Sequence, residues 1–352
     1  MRRPWIDWLR GLAVVIMFHA HTIDAWTLAA DRTTWWYYQS VRVSGMAAPL
    51  FLFLAGLAVV MASNAKVRKG ASTAEASWAL QKRGWEILGL AILFRAQSWI
   101  FNPSATLTGL LKVDILNVMG PSMVAAAWLW GRSSRDGVRL AIFAAATTLV
   151  VVASPFVRAT DLLVPLADPL EWYLRPPAGK GWFALFPWAA LLLAGGAVGV
   201  IIDRTRDAAS ERRLAGVFAA SGAAIFAAGF TASYFPPLVP GTTFWTTSLS
   251  YFVIRIGLML FLLSLAYAWM ARPAADPATS LMIQMGRTSL FLYWVHVELA
   301  YGIFSYPIKG KMPFWAAMVA FVAFSIAMLW LSYAKDRLVA RWTAAPMRTA
   351  RA

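Results

Sequence analysis

The residues most capable of chemistry stand in an apolar stretch near the start of the chain, residues 3–24. The stretch is apolar enough to enter a membrane, yet it carries Asp7, Arg10, His19, His21 and Asp24. At about 100° per residue, Arg10 and His21 fall within about 20° of each other on a helix, about 16 Å apart along its axis. Asp7 and Asp24 flank that face, and His19 points nearly opposite to His21. Ionisable groups inside a bilayer are costly and usually face a bundle interior or a wet cavity, so this stripe predicts a functional site.

His21 is the member of the stripe best suited to acid–base chemistry. A neutral imidazole can take a proton from an incoming hydroxyl or amine near neutral pH. Asp24, three residues on, can reach the same face and would fix the tautomer of His21 or stabilise its imidazolium. We therefore predict His21 and Asp24 as catalytic residues. The alternative, a buried histidine bonded to another helix, is the interpretation we favour for His19.

A second intramembrane histidine, His296, shares a helical face with Ser289 and Tyr293. That face would line a cavity with His21, or it would form a hydrogen-bonded seam between helices. We predict His296 as a substrate-binding residue and leave a packing role open.

Four more polar residues in or beside apolar segments are predicted to bind a polar acceptor. Asp114 and Asn117 stand one helical turn apart at the start of a span, and Arg95 ends the preceding span on the same predicted side. Arg255 lies within a span, where it needs a carboxylate, a phosphate or room to reach the interface.

Metal and thiol chemistry are not predicted. The sequence has three histidines, none in the His-x-x-x-His or His-Glu-x-x-His spacing, and His19 and His21 face opposite ways on a helix. It has no cysteine, which excludes disulfides, zinc–thiolate sites and thiol nucleophiles.

Composition predicts an all-α membrane protein. Of the 352 residues 60% are hydrophobic and 14% charged, against about 25% charged in soluble domains. The apolar runs predict a helical bundle of ten transmembrane spans in a single domain, 1–340, followed by a basic cytoplasmic tail, 341–352. The predicted spans are 8–28, 43–63, 84–101, 114–131, 138–156, 183–202, 214–234, 249–270, 288–305 and 313–334.

The distribution of positive charge predicts the orientation. The net charge of +16 is spread over short loops between spans, which argues against nucleic-acid binding. With ten spans, 22 of the 32 Lys and Arg residues fall on the side of the termini and nine on the other. This bias places both termini in the cytoplasm and the protein in the inner or plasma membrane. The bilayer is thus one predicted partner, and a homodimer is left open.

One connection is unusually long, residues 157–181, and is rich in proline. Long irregular connections are often lids or binding loops, and an interfacial loop lying among lipid headgroups is the equal alternative. Gly195 and Gly196, by contrast, lie inside a span and indicate close helix packing.

Several motifs resemble the transmembrane acyltransferases, a superfamily that includes acyltransferase family 3 and the heparan-alpha-glucosaminide N-acetyltransferase-like proteins. The opening Ile6-Asp-Trp-Leu-Arg-Gly-Leu-Ala, followed by His21, resembles both groups. Later motifs are more similar to the second group, and the resemblance spans about positions 3–305. These motifs are Ala47-Ala-Pro-Leu-Phe-Leu-Phe-Leu-Ala-Gly56, Lys82-Arg-Gly-Trp-Glu-Ile-Leu-Gly, Val113-Asp-Ile-Leu-Asn-Val-Met-Gly120, Phe186-Pro-Trp and Ser289-Leu-Phe-Leu-Tyr-Trp-Val-His296.

The resemblance implies an acyltransferase that moves an acyl group, in the first instance acetyl, from cytoplasmic acyl-CoA to a sugar amine or hydroxyl of an extracytoplasmic glycan. His21 matches the family's catalytic first-helix histidine, as a general base or an acyl carrier. The lysosomal member's His-Ala-Pro-Trp segment is missing before the second helix, where Trp35 and Trp36 stand, so the acceptor is left open. Basic residues on the predicted inner side would hold the CoA phosphates. These are Arg10, Lys66, Arg68, Lys69, Lys82 and Arg83.

Two other classes of function use the same residue types. A proton-coupled transporter also needs intramembrane Asp, Arg and His, and it would move protons with its substrate without needing CoA. A non-catalytic membrane scaffold would tolerate alanine at His21, Asp24 and His296 together.

Overall fold

The computed structural model of the chain describes residues 3–101, 106–177, 180, 183–239 and 242–349. Arg2 and Arg351, both counted in the charge distribution, lie outside the described residues, as does the end of the predicted tail. So do parts of the long connection 157–181.

The helices in the described part are α1 Pro4–Trp26, α2 Trp35–Ser44, α3 Ala47–Arg68, α4 Thr73–Ile100, α5 Leu107–Leu110, α6 Ile115–Trp130, α7 Asp136–Ala159, α8 Asp168–Leu174, α9 Leu185–Asp203, α10 Ala208–Ala232, α11 Leu249–Met270, α12 Leu281–Arg287, α13 Ser289–Tyr301 and α14 Phe314–Thr349. Short 3₁₀ helices occupy Ala29–Thr33, Asp161–Leu163 and Ile303–Ser305.

The prediction of an all-helical, multi-pass membrane protein is confirmed. In the described part of the chain, six helical stretches are long and apolar enough to cross a membrane. They are Trp35–Arg68, Asp136–Ala159, Leu185–Asp203, Ala208–Ala232, Leu249–Met270 and Phe314–Thr343. The count of ten spans and the orientation stay predictions.

The predicted ninth span, 288–305, differs in form from expectation. Its helix α13 has 13 residues, about 20 Å, which is shorter than the hydrocarbon core of about 30 Å. The helix α12 precedes it, with only Thr288 between the two. The hydroxyl of Thr288 donates to the carbonyl oxygen of Gln284 at 2.9 Å, inside the preceding turn. The apolar pattern therefore belongs to a broken helix that begins at Leu281.

The chain divides into two compact units, one formed by Met1–Ala48 with Trp269–Ala352 and the other by Pro49–Ala268. In the first unit, α1 packs against α12, α13 and α14. Gly11 on α1 and Gly286 on α12 allow the closest of these approaches. A Cβ atom at Gly11 would overlap the carbonyl oxygen of Met282, and one at Gly286 would overlap that of Asp7. The prediction of a single domain stays a prediction.

Glycines also allow close backbone approaches at several helix crossings in the second unit. A Cβ atom at Gly195 on α9 would overlap the carbonyl oxygen of Phe53 on α3, and one at Gly56 would overlap that of Leu192. Small residues let helix backbones approach closely where apolar burial alone does not drive association in lipid. The prediction that Gly195 and Gly196 mark close packing is confirmed. Further glycine pairs of this kind are Gly84 with Gly120 (α4 and α6) and Gly222 with Gly257 (α10 and α11).

A hydrogen-bonded polar cluster joins helix ends within the second unit. Asp203, at the end of α9 and 7% exposed, accepts from Asn64 Nδ2 at 2.9 Å and from Arg68 Nη1 at 2.7 Å. The indole nitrogen of Trp130 donates to Asn64 Oδ1 at 3.1 Å, and the Arg139 guanidinium lies 4.0 Å from the centre of the Trp130 ring. Because its partners satisfy it, this buried carboxylate stabilises the end of the bundle.

Asp203→Asn is expected to lower the free energy of unfolding by about 1–3 kcal/mol, because a neutral amide oxygen replaces the charged carboxylate that pairs with Arg68 at 2.7 Å. Unfolding of the detergent-solubilised protein, followed by far-UV circular dichroism, measures the change. Glu86→Gln is the matched control. It removes one carboxylate of the exposed pair Arg83–Glu86, 2.9 Å apart, and is expected to cost at most about 0.5 kcal/mol. Equal losses in the two variants would contradict the prediction.

Candidate active site

The first unit brings the two predicted intramembrane histidines together. His21 on α1 and His296 on α13 are 2.7 Å apart between Nδ1 and Nε2. Their rings are nearly parallel, at 5°, with centroids 4.9 Å apart. His296 is fully buried, whereas His21 is half-buried. The sequence placed both residues on polar faces, and the fold joins the two faces into one site.

The hydrogen bonds of His296 determine which nitrogen of His21 carries the proton. His296 Nδ1 lies 2.9 Å from the carbonyl oxygen of Leu292, and a carbonyl only accepts, so Nδ1 carries the proton. In a neutral His296 the other nitrogen, Nε2, is then an acceptor. His21 Nδ1 must donate to it, which leaves the lone pair of a neutral His21 on Nε2. In this tautomer, His21 can act as a base through Nε2.

Contacts on both sides hold α1 and α13 in this register. The indole nitrogen of Trp26 donates to the carbonyl oxygen of Ala300 at 3.1 Å. Just beyond α1, Thr27 forms a backbone bridge with Met312, in which Leu28 N donates to Met312 O at 2.8 Å and Met312 N donates to Trp26 O at 2.9 Å. The ring of Phe18 lies 5.3 Å from that of His296. A packed ring and backbone hydrogen bonds thus position the histidine pair.

Asp24 takes a different partner from the one expected. Its Oδ2 accepts from the hydroxyl of Tyr301 at 2.7 Å, and its Oδ1 lies 3.9 Å from Arg32 Nη1. Tyr301 in turn places its ring edge-on to His21, with centroids 5.4 Å apart. Asp24 therefore acts on the surroundings of His21 through Tyr301, and the hydrogen bond to His21 Nδ1 belongs to His296.

His19 has the neighbouring-helix role predicted for it. Its two ring nitrogens lie 3.0 Å from Ser40 Oγ and 3.1 Å from Ser44 Oγ, both on α2. Its ring also packs edge-on against Phe321. His19 thus ties α2 to α1.

Asp7 and Arg10 form the ion pair that their spacing allows. Arg10 Nη1 lies 3.2 Å from Asp7 Oδ1, and Asp7 is buried. The pair sits beside the close approach of α1 and α12 at Gly286. The pair can anchor this end of α1, and the binding of a CoA phosphate by Arg10 stays a prediction.

A second polar cluster, in the second unit, contains three of the predicted acceptor-binding residues. Arg95 Nε lies 3.7 Å from Asp114 Oδ2. Asp114 Oδ1 caps α6 by accepting from the backbone N–H groups of Leu116 and Asn117. Asn117 Nδ2 donates to the hydroxyl of Tyr173 on α8 at 2.9 Å. The part of the long connection that contains α8 therefore docks on this cluster.

Arg255 is placed apart from that cluster within the same unit. Its guanidinium donates to the Tyr251 hydroxyl and lies 4.6 Å from the centre of the Tyr251 ring. It borders an apolar pocket lined by Trp188, Trp245 and Phe252. The group that Arg255 contacts is thus Tyr251, whereas Asp114 pairs with Arg95.

The predicted phosphate-binding residues of the second unit differ in their availability. Lys66, Lys69 and Lys82 are exposed. Arg68 is engaged by Asp203 at 2.7 Å, and Arg83 by Glu86 at 2.9 Å. The exposed lysines are thus the better candidates for an anionic ligand. For metals, no group of three or more His, Cys, Asp or Glu side chains in the described ranges could hold an ion.

Comparison with known families shows which family the chain belongs to. Residues 2–226 match the family described as heparan-alpha-glucosaminide N-acetyltransferase, catalytic. The chain belongs to this family. The match covers well over half of the 352 residues and confirms the resemblance carried by the motifs within it; the motif Ser289–His296 lies beyond the match. No curated protein matches the chain.

Membership in the N-acetyltransferase family makes the chain an acetyltransferase-type membrane enzyme. The family uses acetyl-CoA as its donor. The match contains His21 and the cluster at Arg95 and Asp114, but it ends before Arg255 and His296. The imidazole that orients His21 thus comes from beyond the matched region.

Proposed function

We propose that the protein transfers an acetyl group from cytoplasmic acetyl-CoA to a hydroxyl or amine of a glycan, with His21 as the general base. The observation that carries the proposal is the 2.7 Å hydrogen bond between His21 and His296. Because His21 Nδ1 donates in this bond, a neutral His21 carries its lone pair on Nε2, the atom to which we assign the acceptor's proton. An oriented imidazole whose second nitrogen donates to a fixed acceptor is the arrangement that histidine general bases use.

The reaction needs one proton to move twice. His21 Nε2 takes the proton of the acceptor hydroxyl or amine while the acceptor atom attacks the thioester carbon. The C–S bond then breaks, and His21 returns the proton to the departing sulfur of CoA. The charge on the protonated His21 is shared through Nδ1–H with His296 Nε2, which takes the place of the carboxylate of a catalytic triad.

The same lone pair can instead attack the thioester, so that His21 carries the acetyl group. Rapid mixing with acetyl-CoA in the absence of acceptor distinguishes the two routes. A burst of CoA equal to the enzyme concentration marks the acyl-histidine route, and its absence marks direct transfer.

We assign the donor phosphates to exposed basic residues of the second unit, foremost Lys66 and Lys69 at the end of α3. Lys66→Ala with Lys69→Ala is expected to raise KM for acetyl-CoA roughly tenfold with little change in kcat, because contacts far from the thioester stabilise ground and transition states equally. Initial rates measure the change. The control pair Lys309→Ala and Lys311→Ala, on the predicted outer side, is expected to leave KM unchanged. The same KM in both double variants would contradict the assignment.

We place the protein in the inner or plasma membrane with its N-terminus in the cytoplasm. Because the chain has no cysteine, single cysteines at Ser134 and Thr33 report on sidedness without background. An impermeant maleimide added to intact cells is expected to label Thr33→Cys and not Ser134→Cys. The reverse pattern would overturn the orientation. Light scattering of the purified protein tests for a homodimer.

The experiment that tests the function is CoA release from acetyl-CoA by the purified protein in liposomes, with amino sugars and cell-envelope glycans as acceptors. Acceptor-dependent CoA release that disappears in His21→Ala supports the proposal. Proton uptake that depends on substrate but not on CoA would favour a transporter. Unchanged behaviour after alanine replaces His21, Asp24 and His296 together would favour a scaffold.

A further inference from the structure

The buried ion pair between Arg95 and Asp114, in the second unit, lacks the hydrogen bond that usually accompanies a buried salt bridge. Arg95 Nε and Asp114 Oδ2 are 3.7 Å apart, beyond hydrogen-bonding distance. Both atoms are shielded from solvent, and neither has a hydrogen-bond partner among the described residues. Asp114 is only 8% exposed. A buried polar atom without a hydrogen bond costs about 1–3 kcal/mol, so two such atoms side by side call for an explanation.

The rest of the cluster is hydrogen-bonded and holds this pair in place. Asp114 Oδ1 accepts from Leu116 N at 3.0 Å and from Asn117 N at 3.3 Å, while Asn117 Oδ1 accepts from Asp114 N at 3.2 Å. This reciprocal cap fixes the carboxylate, so Oδ2 cannot rotate away from Arg95 without breaking the start of α6. Oδ1 of Asp114 therefore serves the helix cap, whereas Oδ2 has no hydrogen-bond partner in the part of the chain that the structure describes.

We propose that the Arg95–Asp114 pair binds a hydroxyl group of an uncharged polyhydroxyl ligand, such as a neutral sugar ring. A hydroxyl accepts one hydrogen bond and donates another, so one oxygen can accept from Arg95 Nε–H and donate to Asp114 Oδ2. Where this ligand is the acceptor of the reaction, the inference rests on the function proposed above.

Charged ligands fit the pair less well. An ammonium group satisfies Asp114 but leaves Arg95 Nε–H without an acceptor, and it meets the positive charges of Arg95 and the nearby Lys112. A carboxylate satisfies Arg95 but meets Asp114 Oδ2 within the same few ångströms. The pair therefore selects for a group that is donor and acceptor at once.

Tyr173 on α8 adds a second polar contact beside the pair. Its hydroxyl accepts from Asn117 Nδ2 at 2.9 Å. Burial raises the pKa of Tyr173, so the phenol keeps its proton at neutral pH and can itself donate. A ligand with several hydroxyls thus meets a carboxylate, a guanidinium and a phenol in one place.

The test measures binding without turnover, so that it can fail independently of the acetyl-transfer proposal. Thermal unfolding of the full-length protein in detergent is followed by tryptophan fluorescence over a concentration series of methyl β-glucoside, glucosamine or glucuronate. A ligand that binds the folded state raises the melting temperature in a saturable way. Methyl β-glucoside is expected to do so at lower concentration than the two charged sugars.

Two aspartates that both cap helices provide a matched pair of variants. Asp114→Asn keeps the cap, since asparagine caps as well as aspartate, but turns Oδ2 into an N–H donor that faces Arg95. Apparent affinity for methyl β-glucoside is expected to fall about tenfold or more. Asp207→Asn changes the capping box of α10 in the same way and is expected to leave the affinity unchanged. It also corrects for the general stabilisation that sugars give by exclusion from protein surfaces.

Arg95→Lys keeps the positive charge but removes the Nε–H, and it is expected to weaken binding as Asp114→Asn does. It preserves the test if Asp114→Asn does not fold. Equal concentration dependence in wild type and in these two variants would overturn the inference. Equal or stronger binding of glucosamine or glucuronate would overturn it as well.

Discussion

His21→Gln is expected to lower kcat for acetyl transfer by roughly 10²–10⁴-fold, the contribution of a positioned general base. Glutamine is close to histidine in size and can still donate to His296, but it has no basic nitrogen to accept the acceptor's proton. The rate is measured as CoA release with a thiol reagent. Because the chain contains no cysteine, that reagent detects CoA alone.

His19→Gln is the matched control for this prediction. His19 lies two residues away on the same helix, and its ring nitrogens contact Ser40 and Ser44 on α2. The control variant is expected to keep most of the activity and to lose some stability. Full turnover by His21→Gln, or equal losses in both variants when both are folded, would contradict a base at His21.

Replacing His296 separates orientation from proton transfer. His296→Leu leaves the base in place but removes the acceptor of His21 Nδ1–H. Losing a hydrogen bond to a group that becomes charged costs about 1.5–3 kcal/mol, or roughly 10–150-fold in kcat. A loss as large as that of His21→Gln would instead indicate that His296 is itself an obligatory proton carrier.

Helical periodicity predicted the polar face of α1 and the opposite direction of His19, because both depend only on positions within one helix. It assigned Asp24 to His21 for the same reason, since three residues separate them. In the structure, Asp24 accepts a hydrogen bond from Tyr301, and His21 is hydrogen-bonded to His296, which lies 275 residues away along the chain. Spacing tells which residues share a face but not which residue approaches from another helix.

Residues at helix ends and in connections were the ones that periodicity missed. Tyr301 is the last residue of α13, and Tyr173 lies on a short helix within the long connection. Neither position belongs to a periodic pattern, although a tyrosine in an apolar setting signals that its hydroxyl needs a partner. The hydrogen bond from Arg68 to Asp203 could not be predicted for a similar reason, because the ends of α3 and α9 meet only in the folded unit.

Close helix packing was foreseen at Gly195, and it leads to the largest expected effect on stability. Gly195→Ala places a Cβ atom where it would overlap the carbonyl oxygen of Phe53, which is backbone and cannot turn aside as a side chain would. Helices α3 and α9 must then separate along the crossing. Overpacking a core costs about 1–3 kcal/mol, and an overlap with backbone is expected to reach or exceed the upper end of that range.

Gly216→Ala separates this overlap from the general effect of replacing a helical glycine. Gly216 lies in α10, and a Cβ atom there would meet nothing within 4 Å. Since alanine favours helix over glycine by up to about 1 kcal/mol, this variant is expected to be at least as stable as wild type. Thermal unfolding in detergent compares the two. Because Gly56 faces Leu192 across the same crossing, Gly56→Ala is expected to destabilise as Gly195→Ala does. A Gly195→Ala protein as stable as Gly216→Ala would mean that α3 and α9 do not approach each other this closely.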